Sequence, residues 1–280
     1  MEKLIITVAP TGAWPTKKDT PYVPLTPQEI AEEVYQCWKA GASIAHIHVR
    51  NDDASASMNF EKFKETVTLI REKKDCDIIL NLTTSGGIGL KDDERMKPFM
   101  ELKPEMASFD AGTMNWQNRT VFENRPDFLE KLAKAQKEHN VKPELELFDA
   151  GMLYNTLYLV EQGLLESPLH YQLCLGVPGG MAATVENFMY LKGILPQGAT
   201  WSAFAVGRMH LTIIFMAVIT GGHVRVGMED NVFMAKGVLA KSNVEFVERV
   251  KRIAKEFQRE IATPAEARNI LGLKGREPKK

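Results

Sequence analysis

The chain has 280 residues, long enough for one large domain or two small ones, and its 44% hydrophobic and 25% charged residues are the proportions of an ordinary soluble globular protein. Its 35 basic and 36 acidic residues give a formal net charge of -1 with no block of like charge, which excludes a nucleic-acid footprint and a membrane-binding face. Only the tail KGREPKK is basic, as a solvated chain end is.

The opening MEKLIITVAP lacks the basic start and long apolar stretch of a signal peptide. Three cysteines, Cys37, Cys76 and Cys174, form no C-x-x-C pair and no even set, so a reduced, cytoplasmic protein without disulfides is expected. The apolar run HLTIIFMAVIT is too short to span a membrane and meets Gly-Gly at once.

Strand patterns recur along the chain at 4–10, 43–49, 77–84, 106–112, 143–149, 170–177, 200–207 and 223–230. Between them lie helical patterns. TPQEIAEEVYQCWKAG has a Thr26 cap, a proline at the first helical position and a glycine stop. Residues 59–74 and 125–140 carry apolar side chains at i, i+3, i+4 spacing. GMLYNTLYLVEQGLL, TVENFMYLKGIL, GRMHLTIIFMAVITGG and SNVEFVERVKRIAKEFQRE follow, and TPAEARNILGL closes the set. Eight strand–helix units without a linker predict an α/β chain folded as a single (β/α)8 TIM barrel over residues 1–280, with a C-terminal helical extension from about 263 to 280. A doubly wound open sheet would place a glycine fingerprint after the first strand, where this chain has APTGAW.

A barrel carries its chemistry at the C-terminal ends of its strands. The second strand ends in AHIHVR, and alternation puts His46 and His48 on one face. On the last strand His223, Arg225, Gly227 and Glu229 share a face opposite Val224, Val226 and Met228, which sends Arg225 and Glu229 into the barrel. Strands 2 and 8 both flank strand 1, so Glu229 approaches the two histidines. Two imidazoles and a carboxylate with an open position are a catalytic zinc pattern; the competing reading of Glu229 is a salt bridge to Arg225 or Arg50. Glu144 and Glu146 share a face, and at least one points into the barrel, where it needs a cation or donor. His139 and His170 are expected to be surface or structural. The turns TTSGG (Thr83, Thr84, Ser85, Gly86, Gly87) and GVPGG (with Gly179 and Gly180) expose backbone N–H groups suited to a carboxylate or phosphate, and Gly207-Arg208 before a helix suits an anion.

Taken together, PTGA (10–13), HIHVR (46–50), TSGG (84–87), KPEMAS (103–108), AGTMN (111–115), PELEL (143–147), LGVPGGM (175–181), TGGHVRVGMEDN (220–231) and ATPAEAR (262–268) make the chain resemble the β-keto acid cleavage enzymes. The resemblance implies a zinc-dependent (β/α)8 acyltransferase that exchanges acyl groups between a β-keto acid and acetyl-CoA, releasing acetoacetate and a new acyl-CoA. It implies His46, His48 and Glu229 as zinc ligands, and Arg225 with Asp230 as the proton-handling pair. Glu146 stands where the family has a glutamate, Thr83 where it has a substrate-loop serine and Ser108 where it has a threonine. The same resemblance implies a homo-oligomer, a tetramer. Members acting on a 5-amino substrate carry a glutamate directly after PTGA, and here that position is Trp14. An indole suits an apolar tail, or a quaternary ammonium through a cation–π attraction of about 0.5–2 kcal/mol; otherwise Trp14 only packs on the next helix. Two alternatives stand beside this function: a metal-dependent barrel hydrolase, which draws histidines from strands 5 and 6, and a non-catalytic metal-binding barrel.

Overall fold

A computed structural model describes residues 1–273. Residues 274–280, with the basic tail and the last part of the expected extension, lie outside the described residues. Eight parallel strands form a closed barrel: β1 (Ile6–Val8), β2 (Ile44–Ile47), β3 (Ile79–Leu82), β4 (Met106–Asp110), β5 (Lys142–Leu147), β6 (His170–Leu175), β7 (Thr200–Ala205) and β8 (His223–Val226). Each strand pairs with its neighbours in sequence, and closure is made by Thr7 of β1 standing opposite both Arg225 of β8 and Ile44 of β2. The ring of helices runs α1 (Pro27–Ala40), α2 (Phe60–Glu72), α3 (Asp92–Leu102), α4 (Pro126–Glu138), α5 (Ala150–Glu161), α6 (Val185–Ile194), α7 (His210–Ile219) and α8 (Asn243–Glu256). A ninth helix, α9 (Pro264–Leu271), follows the barrel.

Local chemistry sets the helix ends. In α1 the Thr26 hydroxyl accepts from the Glu29 N–H while the Glu29 carboxylate accepts from the Thr26 N–H, and Gly41 closes the helix at φ 115°. The same reciprocal cap, Thr263 with Glu266, starts α9. Helix α3 is absent from the helical patterns read in the sequence, because Pro98 stands inside it and its apolar spacing is weak. Packing overrides that: Met96, Pro98 and Phe99 are buried, and the buried Arg95 binds three partners described below.

The strands stop two to four residues earlier than the sequence patterns, where glycine and polar residues begin. Three short hairpins occupy the loops after β2, β4 and β8: Val49–Arg50 with Ala56–Ser57, Met114–Trp116 with Thr120–Phe122, and Phe233–Ala235 with Val238–Leu239. They build up the C-terminal rim of the barrel. The opposite mouth is sealed by an apolar layer of Ile5, Ile44, Ile79 and Met106, covered by Ala267 and Leu271 of α9. The main core fills the space between barrel and helices, with Phe63, Phe99, Phe109, Phe188 and Phe246 fully buried in it. One end is thus closed by hydrocarbon and the other is left for polar chemistry. No described helix is long and apolar enough to cross a membrane.

The chain turns out of β8 at Gly227, whose φ is +149° and whose place leaves no room for a side chain: a Cβ would lie 2.1 Å from the Ala9 carbonyl oxygen. Gly193, exposed within α6, meets nothing within 4 Å. Gly227→Ala is therefore expected to lower unfolding stability by about 3 kcal/mol or more, and Gly193→Ala to raise it by up to about 1 kcal/mol. Thermal melts of the two variants measured side by side check this contrast.

Candidate active site

His46 is the third residue of β2 and His48 follows the strand directly; both are buried. The turn at Gly227 brings Glu229 over them, so that Glu229 Oε1 lies 3.3 Å from His48 Nε2 and 3.8 Å from His46 Nε2. Gly12 makes this approach possible: at φ +63°, a Cβ there would sit 2.5 Å from Glu229 Cγ. Arg50 then fixes the loop that carries Gly12, donating to the carbonyls of Gly12 at 2.6 Å, Pro15 at 2.8 Å and Ala54 at 2.8 Å. It makes no salt bridge to Glu229.

Arg225, pointing inward from β8, does. Its Nη2 donates to Glu229 Oε1, its Nε and Nη2 grip both oxygens of Asp230 at 3.0 and 2.9 Å, and its Nη1 reaches Glu146 Oε1 at 3.3 Å. The guanidinium also lies over the Phe204 ring, 4.4 Å from its centroid. Both Glu144 and Glu146 face the barrel interior. Glu144 accepts from Asn81 Nδ2 at 2.6 Å and lies 3.4 Å from His46 Nδ1, leaving His46 Nε2 directed at Glu229.

These contacts set the protonation states. Burial pushes Glu229 up, but Arg225 first and then the two imidazoles outweigh it and hold the carboxyl well below the usual range. Burial raises Glu144 too, and its hydrogen bond to His46 brings it down to about 2. Asp230 goes the other way: burial pushes it up to about 6 although Arg225 opposes the rise. Burial and then the neighbouring Asp110 carboxylate push Glu146 well above the carboxylate range, and Asp110 is itself raised by burial. A second carboxylate beside Glu146 disfavours its ionisation. Burial pushes His48 down, against the pull of Glu229, which favours the neutral imidazole that ligates metal.

The donor set fits a zinc ion. His46, His48 and Glu229 offer ligand atoms that all lie within 4.8 Å of one another. Their 3.3 and 3.8 Å separations compare with the ~3.3 Å expected between ligand atoms about 2 Å from a tetrahedral zinc. Glu229 Oε2 is buried without a hydrogen-bond partner. Glu144 beside His46 Nδ1 is the carboxylate that commonly orients a ligating imidazole. Four buried carboxyls, at 110, 144, 146 and 230, and the half-buried Glu229 face the cations Arg225 and Arg95, an excess of negative charge that a divalent ion offsets.

Above this floor is a cavity of about 180 Å³. His46, His48, Arg225, Glu229, Asp230, Glu146 and Asp110 form its base, and Thr83, Ser85 and Gly87 form one side. The upper wall is aromatic: Trp14 stacks on Trp116 with ring centroids 6.1 Å apart, and Phe122 and Phe148 meet Trp116 edge-on at 5.6 and 6.0 Å. Trp14 thus lines the cavity rather than packing on the next helix.

Other residues singled out by sequence lie elsewhere. Ser108 does not reach the cavity; its hydroxyl accepts from the Thr84 N–H at 3.0 Å and so sets the TTSGG loop. Arg95 holds the same loop, donating to the Thr84 carbonyl at 2.7 Å as well as to Glu123 and Asn124. Gly86 is packed on the Ser57 carbonyl, where a Cβ would come within 2.3 Å. Gly179 and Gly180 are pressed against the backbone of Asn115 and Phe148, while Val177 and Pro178 supply that part of the wall. Arg208 is exposed outside the cavity. His170 is buried against Thr200, and His223 accepts the Ile5 N–H at 3.1 Å, both far down the barrel. His139 ends α4. Asp110, Trp116, Phe122 and Phe148 carry no motif signal as site residues. Only the i, i+2 parity of Ser108 and Asp110 on β4 points inward.

The family model for beta-keto acid cleavage enzymes matches residues 3–273. The 3-keto-5-aminohexanoate cleavage enzyme of Fusobacterium nucleatum is 46% identical over 98% of this chain and 99% of its own. The 3-oxoadipate:acetyl-CoA acetyltransferase of Cupriavidus necator is 36% identical over 98% and 96%, and the 3-dehydrocarnitine:acetyl-CoA trimethylamine transferase of Rhizobium meliloti 35% identical over 97% of each chain. Among solved structures, apo ObcA superposes with a TM-score of 0.79 at 20% identity over 90% of this chain and 66% of that one, a likeness of fold alone. The protein is an acyltransferase, and its chain belongs to the beta-keto acid cleavage enzyme family.

Proposed function

We propose that the protein is a zinc-dependent enzyme that converts a β-keto acid and acetyl-CoA into acetoacetate and a new acyl-CoA. The observation that carries this reading is the junction of the His46–His48–Glu229 cluster with the Arg225–Asp230 pair on one cavity floor. Zinc held by those three residues supplies Lewis-acid stabilisation of negative charge on the substrate oxygens. Asp230, raised by burial and oriented by Arg225, takes a proton from the carbon between the two carbonyls. That carbon attacks the acetyl carbonyl, forming a C–C bond and releasing CoA thiolate. The thiolate attacks the original keto carbon, the older C–C bond breaks so that the acyl group leaves on CoA, and the acetoacetate carbanion left behind takes back the proton held by Asp230. Thr83, Ser85 and the backbone around them donate to the substrate carboxylate. Glu146 accepts from Arg225 Nη1 at 3.3 Å and backs its guanidinium.

The substrate tail meets Trp14, Trp116, Phe122 and Phe148, with no carboxylate among them to balance an ammonium. Trp14 and Trp116 stack on each other at 6.1 Å, which leaves no gap for a cation between two ring faces. We therefore take the tail to be apolar and without a primary amine. The assembly is taken as a homo-oligomer, a tetramer; exposed Tyr154, Tyr158, Met189, Tyr190, Phe215 and Ile219 on α5, α6 and α7 support a surface for it. Acetyl-CoA consumption that requires both a β-keto acid and zinc separates this function from a barrel hydrolase and from a non-catalytic metal binder.

His46→Ala and Glu229→Ala are each expected to remove bound zinc and turnover together, since a three-ligand site loses most of its affinity with one ligand gone. Elemental analysis showing full zinc in both variants refutes the ligand set. Asp230→Asn is expected to keep zinc while kcat falls by a factor on the order of 10²–10⁴, as for a lost general base; near-normal turnover shifts the role to Glu146. Trp14→Glu is expected to weaken turnover of β-ketohexanoate-like acids and raise activity on 3-keto-5-aminohexanoate. A wild-type preference for the amino acid or for dehydrocarnitine over the apolar acids rules out the proposed tail.

A further inference from the structure

The exchange brings two substrates to one carbon, and the cavity has a second arm to match. A groove of about 310 Å³ leaves the cavity across the loops after β1, β7 and β8. It shares Trp14, Pro15, Val206, Glu229 and Asp230 with the cavity, so its inner end is the Asp230 side of the floor. From there it continues over Gly207 and Phe233. Its outer walls are apolar yet open to solvent: Trp14 is 50%, Val206 36% and Phe233 44% exposed. Exposed apolar side chains converging on buried carboxylates mark a channel for a ligand rather than a core. The one further acid in it, Asp19, is turned onto Thr16, accepting from its N–H and its hydroxyl at 2.8 Å each. Next to this lining in the chain, Arg208 follows Gly207, and Lys236 lies in the turn of the hairpin that begins at Phe233. Both are exposed, and among the described residues neither meets an ion-pair or hydrogen-bond partner.

We propose that this groove seats the pantetheine arm of a coenzyme A thioester, with the phosphates of the nucleotide held by Arg208 and Lys236. The proposal rests on the reading of the enzyme as an acyl-CoA-forming transferase. Shape and charge select the occupant. Pantetheine is long, narrow and uncharged, as the apolar length of the groove requires. The diphosphate and ribose phosphate beyond it carry the negative charge that a guanidinium and an ammonium pair with. The keto-acid tail is accommodated by the aromatic arm at Trp116, Phe122 and Phe148, which leaves this arm to the thioester. Gly179 and Gly180, packed on backbone, lie outside the lining of this groove, and Arg208 keeps the anion-binding role its sequence position suggests.

Desulfo-coenzyme A, which lacks the reactive sulfur, serves as the probe. Its binding is measured by calorimetry on the purified full-length protein, on Val206→Trp, and on an Arg208→Ala/Lys236→Ala double variant. Val206→Trp, which fills the groove, and the double variant are each expected to weaken binding by about 10-fold or more. The double variant also flattens the salt dependence of binding, since two charge contacts are gone. In turnover, the kcat/KM preference for acetyl-CoA over acetyl-N-acetylcysteamine, which has no phosphates, falls by about 10-fold in the double variant. The KM for the keto acid moves by less than about twofold. Desulfo-coenzyme A that binds the variants as tightly as wild type, or does not bind wild type at all, overturns the groove assignment. Tight wild-type binding lost in the variants, without keto-acid-dependent consumption of acetyl-CoA, upholds the groove and refutes the acyl exchange instead.

Discussion

The buried guanidinium of Arg225 is the interaction on which the rest of the site depends. Burial alone works against its charge, yet Asp230, Glu229 and Glu146 more than reverse this and hold the group well above its usual range. The converse matters more. Without this cation, buried carboxylates crowded at the end of one barrel would repel each other and protonate. With it, Glu229 stays ionised beside two imidazoles, and Asp230 is held at both oxygens with a proton affinity poised near the working range of a base. The two adjacent carboxyls part because the imidazoles reinforce Arg225 at Glu229, whereas burial outweighs it at Asp230.

That arrangement needs backbone in unusual places. Gly227 lets the chain leave β8 against the Ala9 carbonyl, and Gly12 lets the β1 loop pass over Glu229. Arg50 and Arg95 then act as buried clamps. The first ties the loop that carries Trp14 by its carbonyls, and the second ties the TTSGG loop. A loop held by a charge-assisted hydrogen bond to a rigid element is fixed more firmly than one held by its own turn. The apolar seal of α9 at the opposite mouth completes the division of labour, closing that end with hydrocarbon while the charged floor faces the open rim.

Much of the floor of the site was legible because strand parity is strict. Alternation alone assigns His46 with His48, Arg225 with Glu229, and Glu144 with Glu146 to shared faces, and the closure of a barrel brings strands 8, 1 and 2 together. The upper wall was not legible. Trp116, Phe122 and Phe148 come from a short hairpin and a strand end, where no periodicity relates a residue to the direction it faces. The glycines of GVPGG are points of close backbone approach, a role that the sequence does not distinguish from an anion cradle because a missing Cβ serves both. Helix α3 escaped the pattern since Pro98 weakens the local signal that burial of Phe99 and Arg95 outweighs.

The sequence by itself determined the order of strands and helices, the barrel they close, and the inward faces that carry the histidines, the arginine and the carboxylates. These follow from periodicities of 2 and 3.6 residues, which are local properties. Only the tertiary structure decided which oxygen of Glu229 meets Arg225, that Glu144 backs His46, that Trp14 stacks on Trp116, and that a second groove opens toward Val206 and Phe233. Those depend on distances between loops far apart in sequence, set by backbone clamps and glycine clearances that no local pattern encodes.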